Sequence, residues 1–459
     1  MTRILVSVIG AGIFLAGCQP SFAQQGESPL NTLWEEAQRS YPGIEARRAS
    51  VESSKMEEKS IFGERLPQLR AQAQNSYATH KGISGAFFPQ PGLFNVAGVN
   101  GWSGPSWTFN SYVSSTLEWE LFSFGKYNYK SKAAKSNTHR VESEQDAYQV
   151  QLQKELSHRY LKLLYNEAKL ETNRDNIDRL NTVRVITSGL AMAGLRSAAD
   201  SLMASASYNQ AIGTNENLNG QKQAALIQLL ELTNGKEAKY LTSLLRFLNP
   251  LEISLTGATK IDPTHPLLTT LEARQKSLDY RGKSEASAAL PSINLIGGYA
   301  YRGVGIGNEG TVSDTWNDGF SNSVTNGLVG VGLTWNISDL YTQKQRSGSL
   351  KKQAESEGYR YKQLKQQMQA ELTSIQDKLS RQYAEVKKNR EAQQQANNAY
   401  QMYLSRYKSG LMDLSNLLQI QIILEQAENK LIDAAFSFWM LKTSEAALLA
   451  DFSHLFNNL

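Results

Sequence analysis

The chain has 459 residues, 41% hydrophobic and 20% charged, with a formal net charge of +5 and a mean hydropathy of -0.43. Lys and Arg alternate with Asp and Glu instead of clustering, which argues against the basic face a nucleic-acid-binding protein needs. The low hydropathy argues against a thick globular core and suits elements buried on one side only.

The N-terminus, residues 1–23, reads as an export signal. Arg3 supplies a positive start, and Ile4 to Phe14 is an apolar segment too short to span a bilayer. Two processing sites compete. Leu15-Ala16-Gly17-Cys18 has the form of a lipobox, the preferred reading, in which Cys18 is acylated and becomes the first mature residue. Ser21-Phe22-Ala23 is a small-x-small cleavage site. Cys18 is the one cysteine, so no disulfide can form within the chain. Downstream, no stretch approaches the roughly 18 consecutive apolar residues of a membrane helix. Any membrane crossing therefore requires a closed β-barrel, the other arrangement that pairs every backbone group.

Leu33, Ala37, Ile44, Val51 and Met56 give residues 30–65 a helical pattern that Pro67 ends. Residues 68–79 then alternate as a strand, 80–106 are dense in Gly and Pro and read as a loop, and 107–122 alternate again. This second strand opens with Trp107 and Phe109 and closes with Trp119 and Phe122. Aromatics at both ends of an alternating stretch suit the two boundaries of a membrane barrel, and equally an ordinary aromatic hairpin. From 126 to 190 Gly and Pro nearly vanish, and Leu152, Leu156, Tyr160, Leu163, Leu170 and Leu180 recur at helical spacing. One helix on the order of 100 Å long is expected there. Another is expected over 198–232, stopped by Asn234-Gly235 and followed by a mixed connection at 235–264.

The order then repeats. A helix at 266–289, a strand at 292–302, a Gly-rich loop at 303–322 and a strand at 324–337 lead into helices over about 340–408 and 413–450. Met368, Leu372, Ile375, Leu379, Tyr383 and Val386 form a coiled-coil-like seam. Residues 387–398 show little stripe, as expected of a helix with water on more than one side. Trp119 precedes Gly194-Leu195 by 75 residues, and Trp335 precedes Gly410-Leu411 by the same 75. Tyr41-Pro42 precedes Leu66-Pro67 by 25 residues, as His265-Pro266 precedes Leu290-Pro291. Fixed spacing of this kind marks a duplication. Residues 24–234 and 265–459 are read as two copies of one unit, joined by 235–264.

This order resembles the TolC-type outer-membrane efflux family. The local matches are Gly194-Leu195 with Asp200, Leu202 and Ala204 and, more loosely, Gly410-Leu411 with Asn416 and Leu418. The resemblance implies a mainly α fold with transmembrane β. In it, a homotrimer with four strands per protomer closes a twelve-stranded barrel, continuous with a long periplasmic α-helical barrel. It implies a passive exit duct for drugs and small solutes or, alternatively, for polypeptides in type I secretion. Its partners would be outer-membrane lipid, a periplasmic adaptor and a proton-driven or ABC-type inner-membrane pump. Gly194, Leu195, Gly410 and Leu411 would form the periplasmic tip where the adaptor docks. Trp107, Trp119 and Trp335 would mark the membrane boundaries. For each glycine a plain turn role accounts equally for its presence. Family members often carry an acidic, cation-binding ring after the second tip glycine, but here Asn416 and Gln419 occupy those positions. Asp200 or Asp413 could supply a ring at a pore constriction by threefold symmetry, or be ordinary solvated aspartates.

Other chemistry is sparse. His80, His139, His158, His265 and His454 are scattered, and none pairs at metal-ligand spacing. Gly303, Gly305 and Gly307 lack the spacing of a phosphate loop. No nucleophile–base set stands out, so neither an enzyme nor a cofactor is expected. A periplasmic coiled-coil protein such as an adaptor would explain the helices but not two strand pairs with aromatic ends.

Overall fold

The computed structural model describes residues 29–79, 107–235, 244–250, 260–307 and 311–459. The signal segment with Cys18, the 80–106 loop and most of the 236–259 connection lie outside the described residues.

The first unit opens with α1 (Pro29–Ser40) and α2 (Pro42–Gly63). The single helix expected over 30–65 divides because Pro42 has no amide proton to donate and starts a new helix at its first turn. Strands β1 (Gln68–Thr79) and β2 (Trp107–Phe122) follow, then α3 (Lys126–Met192) and α4 (Ala198–Leu232). A short α5 (Leu244–Leu248) lies in the connection. The second unit runs α6 (Pro266–Ala288), β3 (Ser292–Val304), β4 (Val324–Thr334), α7 (Asp339–Lys408) and α8 (Leu414–Leu449), with α9 (Ser453–Asn458) at the end. β4 stops at Thr334, short of the expected 337, because the carbonyls of Asn336 and Ile337 accept from the amides of Asp339 and Leu340 and turn the chain into α7. β3 runs two residues past the expected 302. The loop after it carries a bridge, Ile306 to Val312, and a 3₁₀ turn, Trp316–Phe320.

The strands form one antiparallel sheet in the order β1-β2-β3-β4, so β1 and β4 are its two edges. Register pairs Leu69 with Leu117, Ala73 with Val113, Val113 with Tyr301, and Leu295 with Val331. Paired residues share a face, so Leu69, Ala73, Tyr77, Phe109, Val113, Leu117, Trp119, Leu295, Tyr299, Val329, Val331 and Leu333 lie on one side. The other side carries Gln72, Gln74, Thr108, Asn110, Ser114, Thr116, Glu118 and Arg302. A slip of one residue would exchange the two sets, so the alternation fixes the register.

At 67 and 70 residues, α3 and α7 are each about 100 Å long. α3 packs on α4, α6 and α8, while α7 packs on α6 and α8. The main apolar cluster joins Leu156, Tyr160 and Leu161 of α3, Leu229 and Leu232 of α4, Phe247 of α5 and Phe438 and Trp439 of α8. Leu30 and Leu33 of α1 and Phe456 of α9 close it. The Trp439 indole donates to the carbonyl of Phe247 at 2.9 Å, so its one polar group is satisfied. A second cluster, Val183, Ala204, Tyr400, Tyr407, Leu414, Leu417 and Leu424, sits toward the far helix ends. Between them lies a polar layer. Arg179 forks onto Glu428 at 2.9 and 2.7 Å, Gln421 donates to Asn176, and Asn173 donates to the Ala211 carbonyl at 3.0 Å. Burial pushes the Glu428 carboxyl up, with Arg179 pulling the other way.

His265 couples the start of the second unit to the end of α8. Its Nδ1 accepts from the Leu267 amide at 3.2 Å, capping α6. That bond leaves the proton on Nε2, which lies 3.2 Å from the Ala447 carbonyl and donates to it. The residue is 3% exposed, and burial lowers its pKa below the ordinary 6.5, against the smaller pull of the Ala447 contact. The unfolded chain therefore takes up a proton near pH 6.5 that the folded ring resists. Stability from this site is present above that pH and is lost as pH falls below it. Thermal unfolding followed by circular dichroism should show a melting temperature that drops on acidification below about pH 6.5. His265→Asn keeps a cap that cannot titrate, and should make this dependence shallower, leaving the like-signed part from His158 and His454, whose pKa values burial also lowers.

Candidate functional site

Both long helix pairs turn at the same end of the molecule, and the two turns share one construction. The Gly194 amide bonds to the Ala191 carbonyl at 3.0 Å and the Leu195 amide to Leu190 at 2.9 Å. The Gly410 amide bonds to Tyr407 at 3.0 Å and the Leu411 amide to Arg406 at 3.0 Å. This nested pair of bonds is a Schellman motif, which needs a left-handed residue at its centre. The glycines supply it, with φ of +72° and +74°. A Cβ at either would meet nothing within 4 Å, so the backbone angle alone requires glycine. The next residues point into solvent: Leu195 is 70% exposed and Leu411 79%. Met192, Leu202 and Met402 are exposed at the same end.

Arg196 ties the two turns together. Its guanidinium donates to the Asp413 carboxylate at 2.9 Å and to the Met412 carbonyl at 2.6 Å, and lies 5.8 Å from the centre of the Tyr407 ring. Tyr407 is fully buried, with its hydroxyl 2.9 Å from that of Thr187. Thr187 gives its own proton to the Val183 carbonyl, so Tyr407 is the donor. Because Asp413 is 76% exposed, the ion pair itself contributes about 0–1 kcal/mol. The carbonyl bond and the buried tyrosine supply the rest of the hold. No motif marks Arg196, Tyr407 and Thr187 in the sequence. The available signal was an Arg beside the Gly-Leu of one unit and an Asp beside that of the other.

The constriction candidates separate on this geometry. Asp413 is engaged by Arg196 and does not cap α8. Asp200 is half-buried in the first turn of α4, where a carboxylate complements the helix dipole and where Ser197 makes the cap bond to Ala199 at 3.1 Å. Asn416 and Gln419 are exposed on the first turns of α8.

At the sheet end, Trp119 and Trp335 make one hydrogen bond twice. Trp119 donates to the Arg65 carbonyl at 2.9 Å, and Trp335 to the Ala289 carbonyl at 3.1 Å. Each acceptor stands two residues before the proline that ends its helix, so each indole joins a strand end to the preceding helix. Trp107, at the opposite end of β2, stacks on Tyr77 at 5.4 Å, and Phe109 lies 4.7 Å from Tyr77. No described helix is long and apolar enough to cross a membrane. No three His, Asp or Glu among the described residues are grouped to hold a metal ion.

A family model for the outer membrane efflux protein matches residues 36–235 and 263–448. No match by sequence was found among curated proteins. Among solved structures, the chain is similar to the outer-membrane channel OprN, with 16% identity and a TM-score of 0.70 over 92% of this chain and 89% of that one. The Campylobacter jejuni CmeC outer membrane channel gives 14%, 0.71, 93% and 86%. The Vibrio cholerae outer membrane protein VceC gives 16%, 0.70, 92% and 96%. At such identities the likeness is one of fold.

The turn geometry makes a measurable demand. Gly194→Ala and Gly410→Ala should each destabilise the protein by about 1–2 kcal/mol through the left-handed backbone alone. Gly→Asn at the same positions should cost less, since Asn tolerates that region. Thermal unfolding together with hydrogen exchange of the turn amides would check both.

Proposed function

The chain belongs to the outer membrane efflux protein family, and from that premise we propose that it is the exit duct of a tripartite drug-efflux system. It works as a homotrimer, passing small solutes from pump and periplasm to the exterior without chemistry of its own. The observation that carries the reading is the sheet: mainly apolar on one face and mainly polar on the other, with the outer edges of β1 and β4 unpaired among the described residues. Bare strand edges are not tolerated in lipid, so β4 of one protomer pairs with β1 of the next, and three copies give twelve strands. From Trp107 to Trp119, β2 rises about 40 Å along its axis. Tilted by about 40°, it matches a hydrocarbon core of about 30 Å.

Distal to the sheet, Leu195 and Leu411 are the docking residues for a periplasmic adaptor, and Arg196 holds the entrance closed by joining both turns of a protomer. In this reading the constriction lies at the same end, with Asp200 or Asp413 as the source of a carboxylate ring beside Asn416 and Gln419. Cys18 is the site of acylation. The two units, 24–234 and 265–459, are the repeats around the 235–264 belt.

Deleting the gene should raise sensitivity to toxic small molecules, and the wild-type gene should restore resistance. The double variant Leu195→Asp with Leu411→Asp should fail to restore it while trimers accumulate normally in the outer membrane. Unchanged drug sensitivity with a missing secreted polypeptide would instead assign the duct to type I secretion.

Arg196→Ala should increase single-channel conductance of the purified trimer in planar bilayers. Unchanged conductance would remove Arg196 from the closure.

A further inference from the structure

The segment after β3 folds back over the sheet. On the polar face, the Thr108 hydroxyl donates to the Ser313 carbonyl at 3.0 Å. A few residues later the chain has reached the apolar face, and three observations agree on this. A Cβ added to Gly319 would come within 2.9 Å of the Phe109 Cβ. A Cβ on Gly303, whose register partner Ser111 shares the face of Phe109, would come within 2.6 Å of the Gly319 carbonyl and 2.9 Å of the Phe320 Cα. The Tyr301 hydroxyl, on that same face, donates to the Phe320 carbonyl at 2.7 Å. The segment therefore passes over the sheet's end and lays its 3₁₀ turn, Trp316–Phe320, on the apolar side.

Internal bonds hold that turn. The Asp318 carboxylate accepts from the hydroxyls of Thr315, at 2.5 Å, and Ser313. The Asp318 carbonyl accepts from the Ser321 amide at 2.9 Å, and Asn322 donates to the Ile306 carbonyl at 2.8 Å. A turn fixed in this way still leaves its two large rings open: Trp316 is 64% exposed and Phe320 40%. The rings meet edge to face at 6.2 Å. Beside them at this end of the sheet, Tyr77 and Trp107 are also exposed, at 46% and 54%.

We infer that the Trp316–Phe320 turn is a membrane-interface anchor, seating both rings in the lipid headgroup zone around the outer rim of the barrel. The inference rests on the barrel reading above. Continuity decides the occupant, because the turn overlies the lipid-facing side and prolongs the aromatic band of Tyr77 and Trp107. An indole suits that depth, with an apolar body and a polar N–H that water or a headgroup can satisfy. A loop anchor of this kind would add to the hold on barrel depth that the aromatics at the strand ends already give.

The test uses the full-length protein reconstituted into phosphatidylcholine vesicles with bromines near the ester end or near the methyl end of the acyl chains. Subtracting the emission of Trp316→Phe from that of the wild type isolates Trp316. This conservative change at an exposed ring should leave the helical circular dichroism unaltered. The expected result is a difference signal quenched by the shallow bromines and spared by the deep ones and by aqueous iodide. Quenching by iodide alone would place the ring in water and overturn the inference. Protection from all three quenchers would mean that a neighbouring copy covers it, and would overturn it equally. If the remaining tryptophans, Trp107, Trp119 and Trp335 among them, are quenched by lipid while Trp316 is not, only the anchor fails. If no tryptophan responds to either lipid, the barrel reading fails with it.

Discussion

The rest of the architecture depends on the unpaired backbone at the two edges of the sheet. In water a bare strand edge is tolerable; in lipid each unpaired group costs several kcal/mol, and only closure removes the edge. Four strands with one apolar face are too few to close alone, so the sheet is a segment of something larger. Each strand must also return to the helical body, which is why every unit brackets its strand pair with a helix on either side. The result is two hairpins, each carried by its own helices.

Where sheet meets helices, both units use the same solution. A proline two residues past the acceptor ends the helix and frees its last carbonyls, and a tryptophan at the far end of the strand pair donates to one of them. The bond joins segments 54 residues apart in one unit and 46 in the other. It survives a difference in loop length because the loop lies at the opposite end of the strands. Below the junction, a narrow apolar seam runs along α3 and α7, thickens into the main cluster beside α1, α5 and α9, and is interrupted by the Arg179–Glu428 layer before the distal cluster begins. Such a layer adds little net stability, since desolvating two charges offsets most of their attraction. It does penalise any sliding of α8 along α3 that would leave one charge unpaired.

The two units part company at the distal turns. The Schellman geometry is the same in both, but the residues beyond it are not. Ser197 caps α4 with its side chain, whereas Asp413, at the matching place before α8, leaves its cap unmade and meets Arg196 instead. One turn thus stabilises its own helix, while the other gives its side chain to the neighbouring turn. The two turns differ in side-chain bonding at the end where exposed Leu195 and Leu411 sit.

Much of this was legible in the sequence because it follows from local rules. Period fixed the strands to within a few residues and the helices nearly to the residue, since side-chain direction repeats every 2.0 or 3.6 residues whatever the tertiary context. Gly194 and Gly410 could be marked as turns because helical periodicity breaks at them and glycine takes positive φ without steric cost. The split at Pro42 is equally local, but the apolar stripe runs through it and masks the break. Three things only the tertiary structure decided: the partner of Asp413, which lies 217 residues away; the indole acceptors at Arg65 and Ala289; and the fold-back of Trp316–Phe320 onto the apolar face. Spacing says which face of an element a residue occupies. It does not say which other element that face will meet, because that depends on how helices pack and where a loop crosses the sheet.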